Sequence, residues 1–556
     1  VFVVSTEGAS SPPAPLIPRP AATVVLLRDG PAGPEALLLQ RTQSAVFLGG
    51  AYVYPGGTLD PADGDARAAR RVLGLDDAAA SAHLKLERGG LAYWVAAVRE
   101  CFEEAGILIA AEAGGTPISA ERAAALVRYR HHPFIELLEA ENLFVPADRL
   151  AYYGHWVTSP GRSRRFDARF FLAVAPEGQT GSHDAKEIAL QAWMRPREAL
   201  ERGDRGEMEL VYATRYTLAD LARFARAEDA FRYAQGLRDI EENRACWATG
   251  RDGPKLFRRG DAPYFEIHWS DPEETGQTTY DMAPGVPKRL DRLVTRVVAP
   301  NPGIMTGPGT NTYLIGGETL ALIDPGPAIE SHVAAILAAG AGRIRWVLCT
   351  HTHIDHSPAA AAIKAATGAT VMGRPPPEDN RQDRTFAPDR VLAHGERLAL
   401  GGLGLRVLHT PGHASNHLCY LLEDTRMLFT GDHVMQGSTV VINPPDGDMR
   451  AYLASLELLL AEDIAILAPG HGYLIGSPHK EAKRLIAHRL ARESKVKAAI
   501  GRLGNPAPEE LLSVVYDDVP ASRHHVAARS LAAHLDKLVA DGMVFTRAGR
   551  YALVAR

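Results

Sequence analysis

Between Leu348 and Pro358 the chain reads LCTHTHIDHSP, which puts His351, His353, Asp355 and His356 into one His-X-His-X-Asp-His stretch. The apolar run ahead of it, Ile344-Arg345-Trp346-Val347-Leu348-Cys349, reads as a buried strand. A strand alternates faces, and the turn after it can send His351 and His353 to one point and Asp355 with His356 to a second point nearby. The spacing therefore predicts two metal positions at one strand end, which few folds can provide.

Further ligands should also follow strands, and three later stretches supply them. Leu405-Arg406-Val407-Leu408 runs into HTPGH and places His413, Met427-Leu428-Phe429 runs into TGDH and places Asp432, and Ile464-Ala465-Ile466-Leu467 runs into APGHG and places His471. These motifs, in this order over roughly residues 288–490, resemble the metallo-β-lactamase superfamily. The resemblance implies an αβ/βα sandwich with His351, His353 and His413 on one Zn²⁺, Asp355, His356 and His471 on a second, and Asp432 as the bridge. Two ions about 3.5–4 Å apart would share a hydroxide, because Zn²⁺ lowers the pKa of bound water to about 7. Asp355 would be catalytic as well as a ligand, orienting that hydroxide and relaying a proton. Asp324, closing the apolar TLALID run, would brace the ligand loop without binding metal. In HASNH, a substrate-positioning role and a purely structural one are both open for His417, which with Asn416 stands where close relatives often have Asp-His.

An aspartate at 432 speaks against β-lactam cleavage, since thioesterases, lactonases and nucleases of the superfamily have it and true zinc β-lactamases generally lack it. Too few residues separate Asp432 from His471 for the domain that large nucleases of the superfamily insert there. GDHVMQGSTVVINPPDGDMRAYLASLELL, APGHG and HRLARES resemble the lactamase-beta-two-like group, which includes a single-stranded RNA endonuclease and ends in a winged-helix-like module. The C-terminus matches that ending. Pro508–Leu512 begins a helix, Ala527–Ala540 makes another with Leu531, Leu535 and Leu538 apolar and Gly542 as its cap, and Val544-Phe545-Thr546 with Tyr551-Ala552-Leu553 forms a hairpin around Ala548-Gly549-Arg550. Asp536 and Asp541 lie among Lys537, Arg529 and Arg523, so the face is only weakly basic and duplex DNA is not an expected partner.

A second constellation stands near the N-terminus. Glu100, Glu103 and Glu104 at i, i+3 and i+4 share one helix face, where their repulsion calls for a cation, a divalent metal being the obvious one. Ala96, Ala97, Cys101 and Ile107 can pack the opposite face, and Gly106 suits the helix end. Arg99 to Gly106, taken with Gly56-Gly57, resembles the Nudix box, and the long insertion from Asp60 to Leu91 resembles its coenzyme A diphosphatase group. RRFDARFFLAVAP (164–176), Glu187, Trp193 and VYATRYTL (211–218) agree with that group. The resemblance implies an α/β/α sandwich that hydrolyses a coenzyme A-like or nucleotide diphosphate, with Glu100, Glu103 and Glu104 holding Mg²⁺ or Mn²⁺ and acting in catalysis. There is one departure: Leu91 stands eight residues before Arg99, where the uninterrupted box has a glutamate, so the usual salt bridge to the arginine is replaced or absent.

The 556 residues then divide into a flexible segment (1–20), a Nudix-like domain (21–250), a Pro-, Gly- and acid-rich linker (251–288), a metallo-β-lactamase-like domain (289–494) and a winged-helix-like module (495–556), an α/β and α+β multidomain chain. Ala22–Leu27 and Glu35–Gln40 should be strands around Asp29-Gly30-Pro31, and residues 219–245 a helical stretch with Leu221, Phe224 and Phe231 on one face. The net charge of -5 gives no global pull toward nucleic acid. Four cysteines without paired spacing imply no disulfide framework, and no uncharged apolar stretch is long enough to span a bilayer, so a soluble cytoplasmic protein without a membrane partner is expected. A homodimer is left open. The expected activity is dinuclear zinc hydrolysis, with single-stranded RNA first, its phosphates neutralised by Arg489, Arg492 and Lys495, and a thioester or lactone as its rival. The GTNTY, HASNH and PPDGD loops and the winged module should wall the cleft. A reading of another class makes the winged module the working part of a nucleic-acid-binding or regulatory protein with a vestigial catalytic domain.

Overall fold

The computed structural model describes residues 16–43, 49–183, 188–378 and 381–554, and divides the chain into two compact units meeting between Ala245 and Cys246. Glu187 lies outside the described residues, as does most of the segment before Ala21.

In the first unit the strand Arg19–Gly30 is central. It runs parallel to Phe166–Val174 and antiparallel to both Gly33–Arg41 and Gly56–Thr58. Period-two alternation makes this sheet two-faced. Val24 and Leu26 pack with Trp94, Val98 and Phe102 of the Leu91–Ala105 helix, while Val25 and Leu27 pack with Leu218, Leu221 and Ala230 on the other side. Both faces are thus covered by helices, giving the expected α/β/α layers. The 219–245 stretch is not one helical run: helices Tyr212–Leu221 and Ala227–Gly236 are followed by the strand Glu242–Arg244, which pairs with Ala151–Val157. Phe224 falls between those helices, so the apolar spacing there bridges a turn.

The second unit contains two facing sheets. One has seven strands and includes Val294–Val298, Asn311–Gly316, Leu320–Ile323 and Ile344–Leu348; the other has five, including Leu403–His409, Leu418–Leu422, Met427–Gly431 and Ile466–Pro469. Tyr313, Ile315 and Ile323 from the first meet Leu405, Val407, Tyr420 and Phe429 from the second, forming a dry core between the sheets. Helices cover the outsides, with Ile336 and Ile363 on the first sheet and Leu456 and Leu485 on the second. At the ligand end Asn311 donates its backbone N–H to the Gly470 carbonyl at 2.7 Å, and its side chain donates to the Pro469 and Gly472 carbonyls, lacing the sheets together.

Residues 251–288 do not form an extended linker. Cys246–Gly250 and Gly253–Phe257 make a hairpin and Tyr264–Ser270 a helix, and Cys246, Ala248, Tyr264, Ile267 and Tyr280 form a small core of their own. The polar composition that suggests a linker belongs to the turns. Within this segment Glu266 is fully buried, accepting from Arg296 at 2.5 and 2.9 Å, from Lys288 at 2.6 Å and from the Leu474 backbone N–H at 3.1 Å. The boundary expected after residue 494 also differs, because one helix, Pro478–Leu503, runs straight through it into the C-terminal module. There the helices Pro508–Val515 and His524–Ala540 and the hairpin of Val544–Arg547 with Arg550–Leu553 stand as expected. Among the described residues no helix is long and apolar enough to cross a membrane.

Candidate metal centre and active-site cavity

Four ligand-bearing turns follow four strands of the second unit at one end of the sandwich. The Ile344–Leu348 strand leads to His351, Leu403–His409 to His413, Met427–Gly431 to Asp432, and Ile466–Pro469 to His471. The ligand atoms of His351, His353 and His413 lie within 4.8 Å of one another, as do those of Asp355, His356 and His471, and those of His351, His356 and Asp432. Asp432 faces both triads: Oδ1 is 3.4 Å from Nε2 of both His356 and His471, and Oδ2 is 3.6 Å from Nε2 of His413. All seven residues singled out in the sequence therefore meet.

The imidazoles are aimed by their other nitrogens. Nδ1 of His356 bonds Asp324 at 2.8 Å, that of His413 the Val441 carbonyl at 2.8 Å, that of His351 the Thr350 hydroxyl at 3.0 Å, and that of His471 the Gly309 carbonyl at 3.2 Å. Asp324 also accepts from the backbone and hydroxyl of Thr350, so one buried carboxylate fixes both ends of the ligand loop. Gly470 has to be glycine, since a Cβ there would meet His356 at 2.7 Å and Asp432 at 2.8 Å. Among the described residues, Nε2 of His351, His356 and His471 and Oδ1 of Asp432 are buried without a hydrogen-bond partner. Buried polar atoms are seldom left so, and an imidazole and carboxylate set of this kind fits divalent cations. Burial and the surrounding imidazoles hold His351 well below the usual range, whereas at His356 the carboxylates of Asp355, Asp324 and Asp432 overcome burial and hold it well above. Asp432 is held well below the usual carboxylate range because His471 and His356 outweigh its burial.

Next to this cluster lies a cavity of about 810 Å³ that reaches from His353, Asp355, His413 and Asp432 to the winged module. Ile304, Met305, Ile354, Met435, Val440 and Val526 are among its walls. Ile304 and Ile354 are 71% and 67% exposed, high for large apolar side chains. One expected wall is not there, and the HASNH loop contributes to the lining through His413 rather than His417. Asn311, Thr312 and Tyr313 of the GTNTY loop are buried in the sandwich, and Ile304–Thr306 take the place of that loop. His417 is fully buried behind His351, its ring stacked at 5.0 Å and its Nδ1 bonded to Thr410, so of its two open roles the structural one holds. Asn443 and Asp446, from the segment leading through the PPDGD loop, do line the cavity.

The basic side chains expected to meet phosphates are otherwise engaged. Arg489 is buried, donates to the Val440 carbonyl and stacks over Tyr452; Arg492 grips Asp518 with two bonds of 2.7 and 2.8 Å; Lys495 pairs with Asp517. They fasten the long helix to its neighbours.

In the first unit Glu100 and Glu104 project from the Leu91–Ala105 helix toward Gly56-Gly57, and Glu103 stands beside Arg99. A Cβ on Gly57 would strike Glu100 at 2.4 Å, and the Gly56 N–H donates to Glu104 at 2.9 Å. The counter-charge in this structure is Arg99, 2.8 Å from Glu100 and 3.1 Å from Glu103. Burial outweighs that attraction and pushes Glu100 up to about 7. The missing box glutamate has a substitute that lies inside the insertion. Asp63, 2% exposed, takes Nε and Nη2 of Arg99 at 3.0 and 2.9 Å, while Leu91 packs into the core. Asp63 is 36 residues from Arg99, and no local pattern marks it.

Residues 305–471 match the metallo-beta-lactamase superfamily model, 19–221 the NUDT19 Nudix domain and 507–550 the beta-lactamase associated winged helix domain. A Beta-lactamase-like protein 2 homolog of Drosophila melanogaster is 31% identical over 46% of this chain and 90% of its own length. The chain belongs to the metallo-β-lactamase superfamily. It is a hydrolase of that superfamily, joined to a Nudix domain and closed by a winged helix. Two further relatives in the superfamily are Thioesterase pkgB of Emericella nidulans, 34% identical over 43% of this chain and 67% of its own, and the Atrochrysone carboxyl ACP thioesterase of Aspergillus chevalieri, 32% identical over 42% and 76%.

Proposed function

We propose that the second unit hydrolyses a thioester, with divalent cations of the zinc type held by His351, His353 and His413 and by Asp355, His356 and His471, and with Asp432 shared between them. The observation that carries this reading is the cavity, whose apolar walls suit an acyl chain better than a polyanion. Of the basic groups expected to neutralise the phosphates of an RNA strand, Arg489, Arg492 and Lys495 are committed to internal partners. The names of two of the relatives point the same way. Bound cations would supply a Lewis acid for the acyl carbonyl and an activated water. Asp355, held at about 2 because His356 and His471 outweigh its burial, stays ionised at neutral pH; with 23% of its side chain exposed, it can accept a hydrogen bond from the attacking water and pass the proton to the departing thiolate. Ile304, Met305 and Ile354 would seat the acyl group.

For the first unit the proposed activity is cleavage of a coenzyme A-like or nucleotide diphosphate, with Glu100, Glu103 and Glu104 serving Mg²⁺ or Mn²⁺ once Arg99 yields its hold on Glu100 and Glu103. Thiol release from a short acyl thioester, followed with and without added Zn²⁺, tests the main reading beside a labelled single-stranded RNA at low salt. Thiol release that disappears in Asp432→Ala is expected. RNA cleavage without thiol release would overturn the thioester reading in favour of a nuclease.

A further inference from the structure

The anchored imidazoles differ in what holds their anchors. Asp324, Thr350 and Gly309 stand beside strands of the first sheet, whereas His413 is aimed by the Val441 carbonyl, and Val440 and Val441 belong to no strand or helix. A carbonyl in irregular backbone keeps its direction only if a neighbouring peptide plane is fixed from outside. Here the fixing group is Arg489 of the Pro478–Leu503 helix, 3% exposed, whose Nη2 donates to the Val440 carbonyl. Its guanidinium also lies over the Tyr452 ring, 5.5 Å from the centroid. Tyr452 is fully buried and pressed against the residue before His413: a Cβ on Gly412 would stand 2.4 Å from the Tyr452 Cα, and the Asp448 N–H donates to the Gly412 carbonyl at 2.8 Å. The Tyr452 hydroxyl donates to the His433 carbonyl at 3.1 Å, which holds the far end of the ring. Arg489 therefore reaches the His413 turn by two routes, through Val441 and through Tyr452.

We infer that Arg489 is a positioning residue for His413, and that the helix carrying the winged module thereby sets the geometry of the His351, His353 and His413 triad. The inference rests on the divalent-cation reading of that triad and not on the thioester reading. A buried guanidinium is costly, and among the described residues Arg489 forms no ion pair to offset the cost, while its Nε has no hydrogen-bond partner there. An apolar side chain of similar length would fill the space at less cost. The charge is kept for what it does at Nη2, a charge-assisted bond to a carbonyl, and over the ring face. A group that aims a metal-binding imidazole is worth about 10–100-fold in metal affinity, and Arg489 acts on His413 through the peptide next to such a group. Arg492 and Lys495, on the same helix, instead fasten to Val515, Asp518 and Asp517 of the winged module.

Zinc affinity is measured on the full-length protein by competition with a chromophoric chelator, and cadmium NMR of the loaded chain reports each metal position separately. Arg489→Met keeps the stem and removes the donor. It should weaken one ion about tenfold and leave the other at its wild-type affinity. The cadmium resonance it shifts should be the one that His413→Ala abolishes. Arg489→Lys, which can still donate to the Val440 carbonyl, should recover most of the affinity. Lys537→Ala is the comparison for a helix that is only loosened, since it strips Glu493 of its partner on the His524–Ala540 helix; it should lower the melting temperature with both affinities at the wild-type value. Equal weakening of both ions by Arg489→Met, or the same selective loss in Lys537→Ala, overturns the positioning role. Zinc uptake by the wild type with no effect of Arg489→Met refutes that role alone, whereas no uptake at all removes the cation reading on which it stands.

Discussion

Replacing Glu266 tests how the segment ahead of the first sheet holds the His471 loop. Its carboxylate binds Arg296, Lys288 and the Leu474 N–H, and Arg296 also reaches the Gly472 carbonyl, so the residues on the far side of His471 hang on one buried charge. Burial alone would raise the Glu266 pKa, but Arg296 and Lys288 prevail and hold it at about 2 rather than 4.5. That difference corresponds to about 3 kcal/mol in favour of the charged folded state. It agrees with the about 3–5 kcal/mol lost when one partner of a buried ion pair is removed. Of the two cations Arg296 is the main partner, because burial and the neighbouring Arg296 leave Lys288 below its usual range despite Glu266. Since the folded pKa is depressed, the stabilisation is complete above about pH 4.5 and drains away as pH falls toward 2. In scanning calorimetry of the full chain at pH 7, Glu266→Ala should lower the transition of the 246–556 unit by about 6 °C or more, taking about 2 °C per kcal/mol for a unit of this size. The deficit against wild type should narrow below pH 4.5, and bound metal per chain should fall as the His471 loop loosens. A shift under about 2 °C with metal content unchanged would refute the idea that this charge braces the loop.

Other outcomes follow from geometry already described. Elemental analysis should find about two divalent ions on the second unit of the wild type and fewer in Asp432→Ala, which loses the group shared by both triads; full occupancy in the variant would contradict the shared role. Asp63→Asn should cut Mg²⁺- or Mn²⁺-dependent diphosphate cleavage about tenfold or more, with Asp63→Glu partly restoring it, because Arg99 then lacks its charged anchor; equal rates would show that Arg99 needs none. Arg489→Ala should act on stability, about 1–3 kcal/mol in denaturant titration, by leaving the Val440 carbonyl unpaired, and should not change the salt dependence of turnover. Ile354→Ser should raise KM for long acyl thioesters more than for short ones, since the exposed apolar face there has the acyl chain as its partner; an even change across chain lengths would count against it.

The convergence of the seven His and Asp side chains was legible because each follows an apolar run and a Gly or Pro turn, and strands deliver side chains to predictable places. The same logic found the Nudix-like helix, where carboxylates at i, i+3 and i+4 must share a face. What was not legible depends on pairing across long separations. Asp63 reaches Arg99 only because the insertion folds back, Glu266 is buried only because Arg296 and Lys288 meet it, and the commitment of Arg489 and Arg492 to Val440, Val515 and Asp518 is invisible in a helix that reads as basic. Composition misled at 251–288, since Pro, Gly and acids mark turns between short elements as readily as they mark a linker.

The continuous helix from Pro478 to Leu503 bears on how the enzyme can be dissected. A chain ended at residue 494 would stop in mid-helix, leave Arg492 without Asp518 and Glu493 without Lys537, and remove one side of the cavity. Lost activity in such a truncation would therefore report a broken scaffold as much as a lost binding function. The C-terminal module is less an appendage than the far bank of the cavity, and its role is better probed by exchanging surface residues than by cutting.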